Sequence, residues 1–106
     1  MKTSELTGPA LDWAVARCEG EAVHMFKGQL ETLWTDNGWK PSTDWALGGP
    51  ILEREGIDLT RISGALWDAT IRGKWTEDGP TPLVAAMRCY VGSVIGNEVE
   101  IPEELK

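Results

Sequence analysis

The segment Pro41-Ser42-Thr43-Asp44-Trp45-Ala46-Leu47-Gly48-Gly49-Pro50-Ile51-Leu52-Glu53-Arg54-Glu55-Gly56-Ile57 gathers the side chains of this chain best suited to binding. An indole such as Trp45 stacks on a flat ring. A carboxylate such as Asp44 accepts from ribose or base donors, and glycines such as Gly48 and Gly49 let a phosphate approach backbone N–H groups. The same residues also read as a helix cap and a break, with Trp45 anchoring the loop to the core; the sequence leaves both readings open. Arg54 stands between Glu53 and Glu55, so it either grips an anion or belongs to a solvated charge face. Arg88 sits among Ala85, Ala86, Met87 and Cys89, and a cation in such apolar company needs a partner. That partner is an anionic ligand or an internal carboxylate such as Glu53, Glu55 or Asp44. Thr81-Pro82 opens a helix whose first N–H groups form an anion site of the kind every helix offers.

Catalytic sets are missing from this pattern. His24 is the one histidine, no Ser or Cys stands in a nucleophile motif, and a hydrolase built on His24 and a nearby carboxylate is the weakest of three functional readings. Cys18 and Cys89 fall inside apolar helical patterns and, with one histidine at unrelated spacing, match no zinc template, so no metal or cofactor is expected. A formal charge of −7 repels phosphate backbones and argues against general nucleic-acid binding. With no leader-like segment and no membrane-length apolar run, a cytoplasmic protein with free thiols is expected.

The elements that must position these residues form an α+β domain, a small antiparallel sheet covered on one face by two main helices. A chain of 106 residues supports one domain. Thr7-Gly8-Pro9 offers a cap and an early proline, and Gly20 a stop, for a helix over 8–19. Val23, Met25 and Gln29 to Trp34 form short strands, and Asp36-Asn37-Gly38 reads as a turn. Gly48-Gly49-Pro50 predicts a turn at Asp44-Trp45 and a fresh helix from Pro50, stopped by Gly56. Ile57 to Ile62 reads as a strand whose alternation slips near its end. Leu66 to Trp75 reads as a second strand, with Trp67, Ala69 and Ile71 on one side, and Glu77-Asp78-Gly79-Pro80 as a turn. Thr81 caps a helix over Pro82 to about Val94, stopped by Gly96-Asn97, and the tail from Glu98 pairs along an edge. Six tryptophans in so short a chain favour interfaces and ligand walls, which predicts a homo-oligomer, most simply a dimer.

Three stretches carry a family resemblance: the opening MKTSELTGPALDWAVA, the central PSTDWALGGPILEREGI and the closing GPTPLVAAMRCYVGSVIGNEVEIPEEL. Together they resemble the NinX family of lambdoid phages and their prophages; residues 21–40 and 60–78 match least. The resemblance implies a small accessory phage protein made inside a bacterial cell and specifies no activity. The order of elements in 43–96 also looks like small phage domains whose helices cover a short antiparallel sheet. By analogy with phage proteins that sequester nucleotide signals of host immunity, the leading reading is a non-enzymatic binder of a small anionic or nucleotide-like ligand. Its residues would be Asp44, Trp45, Gly48, Gly49, Arg54, Thr81 and Arg88. The alternative is a module that docks on a host or phage protein through exposed tryptophan and acidic residues.

Overall fold

Trp67, Ala69 and Ile71 alternate with Leu66, Asp68 and Thr70, and that alternation decides which side of the sheet the helices take. The computed structural model describes residues 1–32 and 38–106. In chain order they form α1 (Gly8–Glu19), β1 (His24–Phe26), β2 (Gln29–Glu31), α2 (Trp45–Glu55), β3 (Ile57–Ser63), β4 (Leu66–Ile71), β5 (Trp75–Gly79) and α3 (Pro82–Ile95). The class is α+β: β1 and β2 make a two-stranded antiparallel sheet, and β3-β4-β5 make a three-stranded one. Register places Ile57 and Trp75 opposite Ile71, and Leu59 and Glu77 opposite Ala69. Ala69 and Ile71 are buried on this inner face. The other face carries Asp58, Thr60, Asp68, Thr70, Thr76 and Asp78, where Thr70 and Thr76 hydroxyls meet at 3.0 Å.

α3 lies on the inner face and is buried from Leu83 to Gly92, as expected of a helix that is apolar all round. α1 and α2 pack mainly against its other side. Two glycines permit the close fit. A Cβ on Gly79 would come within 2.8 Å of the Ala85 nitrogen, and one on Gly92 would strike the Trp75 indole.

Local signals hold at the helix ends. α1 stops at Gly20 and α2 at Gly56, both left-handed caps with φ of 72° and 65°. The strand slip appears as a register shift between Arg61 and Ser63. Five expectations are corrected. Thr7 makes no side-chain cap bond, and Pro9 alone marks the start of α1. The helix expected to restart at Pro50 runs unbroken from Trp45. Pro50 and Ala46 are both exposed, so the carbonyl that loses its donor faces water. The strand expected from Leu66 to Trp75 ends at Ile71, where Arg72 and Gly73 reverse the chain with φ of 52° and 65° and Lys74 N–H bonds the Ile71 carbonyl at 2.9 Å. Glu77-Asp78-Gly79 is therefore strand and not turn. The tail also departs from expectation: it pairs with the chain start, through Lys2 opposite Glu98 and Val99 N–H on the Met1 carbonyl. Lys27 and Gly28, both at positive φ, turn β1 into β2. The turn placed at Asp36-Asn37-Gly38 and the end of the Gln29 to Trp34 strand fall on 33–37, outside the described residues.

Candidate functional site

α2 and α3 run side by side in the same direction, with Gly48 against Leu83 near one end and Arg54 against Tyr90 near the other. The first contact requires glycine. A Cβ on Gly48 would strike the Pro41 carbonyl oxygen and come within 2.8 Å of Leu83 Cδ2. Both helix N-termini consequently open on one cleft of about 210 Å³, lined by Ser42, Thr43, Trp45, Thr81, Pro82 and Leu83. Trp45 forms its wall and is 53% exposed. Asp44 caps α2 by accepting the Ala46 N–H at 2.9 Å, and Thr81 Oγ1 caps α3 by accepting the Val84 N–H at 3.1 Å. Leu47 and Gly48 N–H bond the Asp44 carbonyl and Pro82 has no N–H, which leaves the Trp45 and Leu83 N–H groups without a partner within their helices, and the two helix dipoles add partial positive charge at the same place. Chemically this is an anion-favouring corner beside an exposed ring.

Trp45 and Thr81, far apart in sequence, share this cleft. Asp44 adjoins it as the cap of α2. Gly48 faces inward, and Gly49 stacks beside the Trp45 ring, where a Cβ would sit 3.7 Å away. Neither arginine lines the cleft. Arg54 makes a bidentate pair with Glu19, donates through Nε to Glu55 at 2.8 Å and reaches Tyr90 Oη at 3.2 Å. Arg72 joins the far side of Glu55 at 3.0 Å, and the Tyr90 hydroxyl donates to Glu19. The Arg54 bond holds the Glu19 carboxyl below the usual range, and burial pushes the Tyr90 phenol up. Arg88 donates to two backbone carbonyls, Nε to Leu6 at 2.8 Å and Nη1 to Asp78 at 2.9 Å. The carboxylate partners expected for it at Glu53, Glu55 or Asp44 are replaced by these carbonyls, which tie the chain start and the end of β5 to α3. Burial lowers its pKa.

The remaining reactive groups have simple placements. His24 lies exposed on β1. Cys18 and Cys89 are free thiols, raised to about 12 and about 11 by burial, which makes them poor nucleophiles. Among the described residues no group of His, Cys, Asp and Glu gathers as a metal cage.

Sequence reasoning passed over Asp12. It is 4% exposed on α1, its Oδ1 accepts the Ser42 N–H at 2.8 Å, and burial raises its carboxyl to about 6 against the lowering effect of Ser42. The available signal was a charged residue on the buried stripe of Leu11, Ala14 and Val15. Asp12 borders a second cleft of about 220 Å³, which also includes Pro9, Gln29, Leu30, Trp39 and Lys40.

Fold and cleft define a small α+β domain with an aromatic-walled corner between two helix starts. A family model described as bacteriophage P22, NinX matches residues 2–93, and the chain belongs to that family of phage accessory proteins. No curated protein matches the chain. No helix among the described residues is long and apolar enough to cross a membrane.

Proposed function

We propose that this NinX-family chain is a non-enzymatic binder of a small anionic or nucleotide-like ligand. The reading rests on the convergence of the exposed Trp45 ring with two helix N-termini on one cleft. Trp45 stacks on the ligand ring, while the Thr43 and Thr81 hydroxyls and first-turn N–H groups meet its charge. Asp44 accepts from a polar edge. Arg54 and Arg88 hold the scaffold in this assignment, because carboxylates and carbonyls already engage them. A cleft of about 210 Å³ suits one ring and one charged group. In the cytoplasm of an infected cell, withholding such a signal unchanged would counter host immunity. We also propose assembly as a homodimer, supported by the exposed Ile62, Val94 and Ile95 and tested by sedimentation across a dilution series.

One observation favours a second reading. An exposed tryptophan beside Pro82 and Leu83 is also what a protein-docking anchor looks like. Incubation with a pool of bacterial cyclic-nucleotide and ADP-ribose-derived signals separates the two. A sponge depletes one signal and returns it chemically intact on heating. Trp45→Ala is expected to weaken retention by roughly ten- to hundredfold, with the melting curve unchanged. A pool left untouched by the wild type gives the docking reading the lead, and chemical conversion would make the protein an enzyme.

A further inference from the structure

We propose that the cleft beside Asp12 is a second binding site, specific for a small organic cation, an ammonium or guanidinium group held by the Asp12 carboxylate against the Trp39 indole. It is distinct from the Trp45 cleft; Thr43 alone lines both.

The set of partners around Asp12 is incomplete. Buried carboxylates are normally satisfied at both oxygens or paired with a cation. Asp12 Oδ1 has the Ser42 N–H and the Ser42 side chain lies close to the carboxylate, but among the described residues no Lys or Arg forms an ion pair with it. The Ser42 hydroxyl beside it is itself buried and makes no hydrogen bond of normal geometry. A carboxylate whose only task was to brace the Ser42 turn would not need to border a cleft with no cation beside it.

The walls fit the same ligand. Trp39 donates its indole N–H to the Asp12 backbone carbonyl at 2.8 Å, which fixes the ring beside the carboxylate it would help. A cation close to an indole face gains from the ring quadrupole, most of all where water is excluded. Leu30 and Pro9 supply apolar surface for a short alkyl stem. Lys40 is the other ionisable side chain lining the cleft; it is exposed and weakens cation binding from the rim. A volume of about 220 Å³ accepts a head group and a few methylenes.

The test is a titration of the full chain with methylguanidinium chloride, read on the Trp39 indole and Ser42 amide signals by NMR, against sodium chloride at matched ionic strength. At about pH 7.5 the shifts should saturate in the millimolar range expected of so small a ligand. At about pH 5 the affinity should fall about tenfold, since a carboxyl titrating at about 6 is then mostly protonated. Asp12→Asn should abolish saturation while keeping the Ser42 acceptor, and Lys40→Ala should tighten binding by roughly two- to threefold. Shifts no larger than those from sodium chloride, or equal affinity in Asp12→Asn, overturn the proposal. So does stronger binding of methyl phosphate at these same signals. If Asp12→Asn loses its folded amide spectrum, the pH pair on the wild type decides.

Discussion

The two ends of α2 were built to opposite rules. At its C-terminal end Arg54, Glu55, Glu19, Tyr90 and Arg72 use their polar groups on one another, and Gly56 closes the backbone. At its N-terminal end Asp44 caps one N–H, Trp45 faces solvent, and the start of α3 comes alongside without filling the space between. A polar group already paired has little to offer a ligand, since binding would first have to break an existing bond. Functional candidates therefore belong to the open end, although the closed end holds more of the charged residues that attract attention in a sequence.

The sharpest way to break this contrast is Gly48→Ala. The new methyl meets a backbone carbonyl that cannot move aside, so α2 must lift from α3 at the open end, with a cost of about 3 kcal/mol. Urea unfolding should show it, together with loss of any ligand held at Trp45. An unchanged midpoint would mean that α2 does not pack where it is placed.

Asp12→Asn comes next and has the opposite sign. Because burial raises the folded carboxyl to about 6, the native state binds the extra proton between about pH 4 and 6, and stability falls as pH rises through that window. Asparagine keeps the acceptor for Ser42 and removes the charge. The variant should be about 2 kcal/mol more stable at pH 7.5 and equal to wild type near pH 4. Parallel curves at both pH values would show that the carboxylate carries no such cost. A charge kept at the expense of stability is a common mark of a working site.

Arg54→Ala is the smallest of the three, below about 1 kcal/mol, because its side chain is half exposed and screened. Glu19 has a lowered folded pKa, so its contribution is present above about 4.5 and is lost as pH falls through the folded value. The substitution should flatten that acid limb, and about 1 M salt should erase most of the difference. Binding at Trp45 should be untouched; a large loss there would tie the closed end to the site.

Much of the fold was legible because its signals are local. Gly20 and Gly56 are left-handed caps wherever such helices end, Thr81-Pro82 starts a helix by its own chemistry, and alternation in Leu66 to Ile71 needs only one covered face. The failures share a cause. Gly48-Gly49-Pro50 looks like a break to any scale of helix preference, yet Gly48 is there to let α2 approach Pro41 and Leu83. Gly79 looks like a turn for the same reason and serves close packing of β5 on α3. The true reversals, Lys27-Gly28 and Arg72-Gly73, lack the Asn or Asp that usually announces two positive φ angles in a row.

By itself the sequence determined the α+β class, the points where the helices stop, the family and the residue types from which a binding site could be made. Tertiary structure alone decided which of them meet. It set Trp45 beside Thr81, turned Arg54 and Arg88 to internal partners, and brought Asp12 to Ser42 across 30 positions. The reason is physical: helix caps and strand alternation follow from backbone and side-chain geometry within a few residues, whereas partnership and burial depend on which distant surfaces the core draws together.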